Sequence, residues 1–424
     1  MRQCFSRFAA VSVLLGILYV PFLFAQPLQK VRPEVVGFSA NRLARLDTLF
    51  DTYTAAGKLP GGVLTVTRNG RIAYQRAFGF RNIESGIAMS TNSLFRIASQ
   101  SKAIVSVGAM ILQEEGKLLI SEPVSKYLPE FANTTVAVSD ENGGYEVVAA
   151  KRQITIRDLL THTSGVGYGG GISADRWKAA EITGWYFADR NEPIRETVRR
   201  MAALPFESQP GEKFVYGYST DILGALVEVV SGMSLDEFLR DRIFRPLDMR
   251  DTHFYPPASK ADRLATVYSA TDTGLVPAPD PGGMVGQGEY INGPRISFSA
   301  GSGLVSTATD YTRFLQMVLN GGILYDTRIL SRKTIQHMLS NHTGELFLSP
   351  GQVFGLGFYI NTDTGLRMQP GSDGQFGWGG GYHSTYWADP AEDLVVTYFT
   401  QILPASGLDD HAKIRVLVYQ AIED

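Results

Sequence analysis

Ser99 and Lys102 lie three residues apart in I-A-S-Q-S-K-A-I-V-S-V-G-A-M-I-L-Q, a stretch otherwise rich in apolar side chains. On a helix, positions i and i+3 share a face, so the lysine stands beside the serine. A serine hydroxyl is a weak nucleophile until a neighbouring base takes its proton. Burial disfavours the ammonium, so a lysine in apolar surroundings is expected to favour its neutral, proton-accepting form. The pair suits a Ser–Lys nucleophile at the mouth of a buried helix. By itself it also suits a plainer reading, a serine at a helix start and a lysine snorkelling to solvent.

Two further segments carry chemistry-bearing residues. In Q-P-G-E-K-F-V-Y-G-Y-S-T-D-I-L-G-A-L-V-E, a Pro210-Gly211 turn leads to Tyr216, ahead of a helix expected to be capped near Ser219 or Thr220. In G-Q-F-G-W-G-G-G-Y-H-S-T-Y-W-A-D-P, glycines crowd the approach to a strand. With these in view the chain resembles the serine β-lactamase and penicillin-binding-protein superfamily. Ser99-x-x-Lys102 matches its first motif. Tyr216 matches the tyrosine of the second, usually Tyr-x-Asn in the branch containing class C β-lactamases. Trp378-Gly379-Gly380 stands where the third, Lys-Thr-Gly, is found. The flanks L-F-R-I-A-S-Q-S-K-A and I-T-I-R-D-L-L-T-H-T-S-G (154–165) resemble segments of the same branch, and the likeness runs in order through nearly the whole chain.

The departures from that pattern are informative. Tyr218 replaces the asparagine, and Trp378-Gly379-Gly380 replaces a lysine-bearing motif, so the expected pocket is less polar and poorer at holding a carboxylate. Trp-Gly-Gly at this motif resembles the family VIII carboxylesterases. The resemblance implies that Ser99 attacks an ester carbonyl and that Lys102 and Tyr216 share the role of general base. It places the oxyanion hole at the backbone N–H groups of Ser99 and Gly381, donors typically worth ~3 kcal/mol each. Tyr218, Trp378, Gly379, Gly380, Tyr382 and His383 are the expected substrate-binding residues. Strand alternation leaves His383 open between the cleft and the back of the sheet. Two other readings stand beside the esterase. One is a D-amino-acid peptidase or weak β-lactamase, which would need a cation such as Arg295 for its substrate's carboxylate. The other is a non-catalytic sensor that acylates without turnover.

These residues need elements to hold them. L-T-V-T-R-N-G-R-I-A-Y-Q-R-A-F-G (64–79) alternates on both sides of Asn69-Gly70 and predicts a hairpin. Residues 99–115 predict a buried helix with Gly116 just past its end. A second helix closes at Gly232, residues 139–153 predict a surface hairpin, and residues 409–422 a last helix. V-F-G-L-G-F-Y-I, G-G-Y-H-S-T-Y-W-A-D-P and D-L-V-V-T-Y-F-T predict strands near the C-terminus. Strands at both ends with helices between predict an α+β fold with one sheet built from both chain ends, and the resemblance implies that it is a β-lactamase/transpeptidase-like antiparallel sheet flanked by helices. The sheet region is expected over about 30–98 and 295–424, with a helical region over about 105–290 inserted between.

Composition narrows the rest. The chain has 424 residues, 44% hydrophobic and 19% charged, with a formal net charge of −3. Such a balance, without a basic run, gives no reason to expect nucleic acid. Arg2 and Arg7, an apolar run and Ala25 predict a signal peptide over residues 1–25 and export to the periplasm or medium. An uncleaved anchor is the rival, and Pro21 with the Ala25-Gln26 junction favours cleavage, after which no membrane partner is expected. The single cysteine, Cys4, lies in that leader, so no disulfide, thiol nucleophile or cysteine zinc site is expected. The six histidines include no H-E-x-x-H, and His162 is read as structural. G-V-G-Y-G-G (165–170) fits the dinucleotide fingerprint in letters only, since a helix precedes it where a strand is needed. No G-x-S-x-G occurs. No metal or cofactor is expected; the substrate is a small ester or peptide.

Overall fold

Asn69 and Gly70 both take positive φ, 52° and 68°, which matches the right-handed twist of the strands they join. Those strands are β1 (Gly61–Arg68) and β2 (Arg71–Asn82), followed by the short β3 (Ile87–Ala88). The chain returns to the same sheet near its end with β4 (Gln352–Phe354), β5 (Tyr359–Asn361), β6 (Phe376–Gly380), β7 (Ser384–Asp389) and β8 (Leu394–Thr400). The eight strands run in the order β4-β5-β6-β7-β8-β1-β2-β3, and every pairing is antiparallel. The computed structural model describes residues 28–405 and 407–424; the expected leader falls outside them. Among the described residues no helix is long and apolar enough to cross a membrane.

Period-two alternation sends β8 side chains to two cores. Leu394, Val396 and Tyr398 join Leu64, Val66 and Phe78 beneath helices Arg45–Ala55 and Asp410–Tyr419. Val395 and Phe399 face the larger core, where helix Ala308–Leu319 crosses the sheet. Both faces are covered, so all eight residues of β1 are buried. Such burial stabilises by ~1.5–3 kcal/mol per large apolar side chain, before the entropic cost of ordering the chain is set against it.

The helical region lies between β3 and β4 in sequence. At its centre is the nucleophile helix, Ser101–Glu114, whose residues Ser101 to Leu112 are all buried. Gly116 follows at φ 67°, as expected. Helix Ser219–Ser231 packs alongside and ends at Gly232 in the left-handed region.

Several local expectations shift. The predicted surface hairpin is Thr135–Ser139 paired with Tyr145–Ala149, four residues earlier at its start. V-F-G-L-G-F-Y-I is a second hairpin, because Gly357 turns the chain at φ 95°. The third-motif segment also splits, with β6 and β7 joined through Gly381–His383. The cap expected at Ser219 or Thr220 is absent: Tyr218 takes the N-cap position with no side-chain cap, and Ser219 instead shares a 2.8 Å hydrogen bond with Ser164.

Candidate active site

Ser99 sits in a 3-10 turn, Ala98–Gln100, that leads into the nucleophile helix. Ala98 holds φ 42°, a conformation that costs a non-glycine residue free energy and is found where the surroundings over-determine it. Here they do. Phe95–Arg96 pairs with Val305–Ser306, Ile97 N–H donates to Leu304 O at 3.0 Å, and Leu304 N–H donates to Ser101 Oγ at 3.1 Å.

Lys102 is buried and spends all three ammonium protons. It donates to Ser99 Oγ at 3.3 Å, Tyr168 Oη at 3.0 Å and Gly301 O at 2.7 Å, and its nitrogen lies 4.7 Å from the Tyr216 ring centroid. Burial pulls its pKa down, but Tyr168, Tyr216 and the Asp221 carboxyl together outweigh that and hold Lys102 above the ordinary lysine value. The neutral lysine expected from desolvation is therefore corrected: the resting site carries an ammonium. Gly301 is placed by Asp221, which accepts from Gly301 N–H at 3.0 Å and Ser299 Oγ at 2.8 Å. A Cβ on Gly301 would come 2.5 Å from Asp221 Oδ2, so a side chain there would push the lysine's acceptor away.

Tyr168 is the site residue that sequence reading missed. It rises from the glycine run set aside as a false fingerprint. A Cβ on Gly165 would meet Ser208 O at 2.0 Å, and one on Gly217 would meet the Val166–Gly167 backbone at 2.4 Å. The glycines let this segment press between its neighbours and bring Tyr168 to Lys102, a close-approach role.

Trp378, on β6, donates its indole N–H to Tyr216 Oη at 3.0 Å. Gly380 and Gly381 run against the nucleophile turn: a Cβ on Gly380 would lie 2.5 Å from Ile97 O, and one on Gly381 would lie 3.8 Å from Ala98 Cβ. Ser99, Tyr216, Trp378 and Gly379 to Gly381 line one open cavity of about 560 Å³. His383 lines it too. It occupies the β6–β7 turn at φ 65°, so strand alternation does not apply to it.

Two expected substrate-binding residues do not reach the cavity. Tyr218 is fully buried, donating to Gly184 O at 2.7 Å and packing on Tyr168 and Trp177. Tyr382 is buried against Ala98, Val267 and Trp185. Arg295 is also occupied elsewhere, donating to the carbonyls of Ile291, Tyr255 and Pro256. His162 is buried, with its ring 4.7 Å from that of Tyr216, and burial holds its pKa well below the ordinary value.

The family profile described as Beta-lactamase matches residues 46–420. Protein Rv1367c of Mycobacterium tuberculosis is 32% identical over 85% of this chain and 90% of its own length. Esterase EstB of Burkholderia gladioli is 30% identical over 85% of this chain and 91% of its own. Among solved structures, EstCE1, described as a hydrolase with promiscuous acyltransferase activity, superimposes with a TM-score of 0.77 at 26% identity. That match covers 89% of this chain and 99% of EstCE1.

Proposed function

The chain belongs to the beta-lactamase family of serine hydrolases, and we propose that it hydrolyses carboxylic esters through an acyl-enzyme on Ser99. The observation that carries this reading is the cavity wall. Among the described residues that line it there is no lysine or arginine. The lysine of the usual third motif is replaced by Trp378, whose polar atom is already bonded to Tyr216. A peptide or β-lactam carboxylate would find there no lysine or arginine to pair with, only the imidazoles of His383 and His411. A neutral ester carries no such charge.

In the first half-reaction Ser99 Oγ attacks the ester carbonyl. Its proton passes to the Tyr216 phenolate oxygen, which accepts from the Trp378 indole N–H, with the Lys102 nitrogen 4.7 Å from the ring centroid. Lys102 serves as a fixed electrostatic partner rather than the initial proton acceptor. The N–H groups of Ser99 and Gly381 receive the developing oxyanion, and Tyr216 returns the proton to the leaving alcohol. Water then releases the acid. The descriptions of EstB and EstCE1 favour this substrate class. The charged start, apolar run and Ala25 further support a leader over residues 1–25 and an exported enzyme.

A matched panel tests the reading: p-nitrophenyl acetate, butyrate and octanoate beside a chromogenic cephalosporin and a D-Ala-D-Ala peptide. Ester turnover should dominate and disappear in Ser99→Ala. Faster release of D-Ala than of nitrophenol would overturn it in favour of a peptidase.

A further inference from the structure

The cavity that Ser99 lines also holds a second acid–base arrangement, at His383 and His411. His383 Nε2 lies 2.8 Å from Asp410 Oδ1, and Asp410 Oδ2 accepts from Tyr398 Oη at 2.8 Å. Asp410 is fully buried. Burial pushes its carboxyl up, but His383, His411 and Tyr398 outweigh that and hold it below the ordinary aspartate value. An ionised carboxylate only accepts, so Nε2 of His383 carries a hydrogen, and in the neutral imidazole the lone pair then falls on Nδ1. His411 stacks on His383 with ring centroids 4.1 Å apart and donates its own Nε2–H to the His383 carbonyl at 3.0 Å. The imidazole is thus clamped at one edge and over one face, while 14% of its side chain stays exposed. Holding it there requires φ 65° at a non-glycine residue, and such strain is retained where the surroundings enforce it, often at functional sites.

We propose that His383, oriented by Asp410, is the base that draws water onto the acyl-enzyme, so that the two halves of the reaction use different proton acceptors. The inference rests on the Ser99 acyl-enzyme of the preceding reading. Lys102 is buried with its three protons engaged, one of them by the half-buried Tyr168. His383 is an imidazole with a carboxylate partner that lines the same cavity as Ser99, the arrangement of a nucleophile-activating base held by a third group. The water oxygen bonds to the acyl carbon as its proton goes to His383 Nδ1. On collapse the bond from acyl carbon to Ser99 Oγ breaks, and Lys102 Nζ supplies the proton that Oγ takes up. The imidazolium then loses its proton to solvent and Lys102 regains one from it, leaving serine and free acid.

The same three side chains bring ligand-type atoms within 4.8 Å of one another. Both Nε2 atoms are already engaged, His383 with Asp410 Oδ1 and His411 with the His383 carbonyl, so a metal ion bound through them would have to displace those bonds.

Rapid mixing of the enzyme with p-nitrophenyl butyrate, followed by intact-mass analysis of quenched samples, separates the two steps. His383→Asn keeps a residue tolerant of positive φ, His383→Gly removes the strain altogether, and Asp410→Asn removes the orienting charge. In the histidine variants the burst should keep a rate within about twofold of wild type. The steady state should fall about 100-fold as acylated Ser99 accumulates. Asp410→Asn should show the same split, more weakly. Burst and steady-state rates falling in parallel, or a steady state unchanged in both histidine variants, would overturn the proposal. So would loss of activity with a chelator and its recovery with zinc. A wild type that never acylates would overturn the ester-hydrolase reading itself, and the mass spectrum distinguishes that outcome from the others.

Discussion

The Trp378 indole N–H donates to Tyr216 Oη across 3.0 Å, so the residue standing in place of a third-motif lysine acts on the tyrosine of the second motif. The substitution changes what the motif touches. In the proposed reaction the indole faces the phenol that takes the serine proton, where the usual motif has a lysine.

Trp378→Phe keeps the ring and deletes that donor. A hydrogen bond to a charged group contributes about 1.5–3 kcal/mol, so the burst of nitrophenol from p-nitrophenyl butyrate, which reads the acylation step, should slow about 10- to 100-fold. Rapid mixing checks this, and an unchanged burst with a raised KM would show that the indole only shapes the pocket.

Tyr168→Phe removes one of the three acceptors of the Lys102 ammonium. Tyr168 is among the groups that hold Lys102 above its ordinary value, so without it the charged form is lost at lower pH. The alkaline limb of kcat/KM should move down in pH, and activity near neutrality should fall about 10-fold. A pH–rate profile of both proteins reads the shift directly.

Asp158 ties together the segment that delivers His162 and Tyr168. It takes two bonds from Arg152, at 2.6 and 2.9 Å, and forms a capping box with Thr155. Burial pushes its carboxyl up, but Arg152 and Thr155 outweigh that and hold it below the ordinary aspartate value of 3.8. The unfolded chain therefore binds the proton first as pH falls. Stability from this group is complete above about pH 4–5 and drains away through the lower folded value. Asp158→Asn should cost about 2 kcal/mol at pH 7, less than a fully buried pair would because Arg152 is 44% exposed. The gap from wild type should narrow toward about pH 3, as measured by urea unfolding at both pH values.

Much of the site was legible because its residues lie in short segments whose letters carry the chemistry. Ser99 and Lys102 are one helical turn apart, Tyr216 precedes a helix, and Trp378-Gly379-Gly380 is a contiguous strand end. The antiparallel sheet from both chain ends followed from alternation around Asn69-Gly70 and from the apolar runs after 350. What escaped depends on contacts between segments distant in sequence. Tyr168 was hidden because its glycines serve close packing against Ser208 and Gly217, which no local pattern reveals. The charge state of Lys102 was misread because burial was weighed without the phenols and the Asp221 carboxyl that the fold gathers around it. Tyr218 and Tyr382 were assigned to the pocket by their nearness in sequence to Tyr216 and Gly381. The helix N-cap and the β6–β7 turn aim them into the core instead. His383 was undecided for the same reason: a turn interrupts the alternation that would have placed it.

The central claim is that Ser99 carries the acyl group of an ester substrate. Quenching the reaction with p-nitrophenyl butyrate within the first turnovers, then digesting and sequencing by mass spectrometry, tests it most directly. The account predicts one butyryl group on the peptide containing Ser99, absent in Ser99→Ala, and formed at least as fast as nitrophenol appears at steady state. Rapid ester hydrolysis with no acylated Ser99, or with turnover intact in Ser99→Ala, would contradict it.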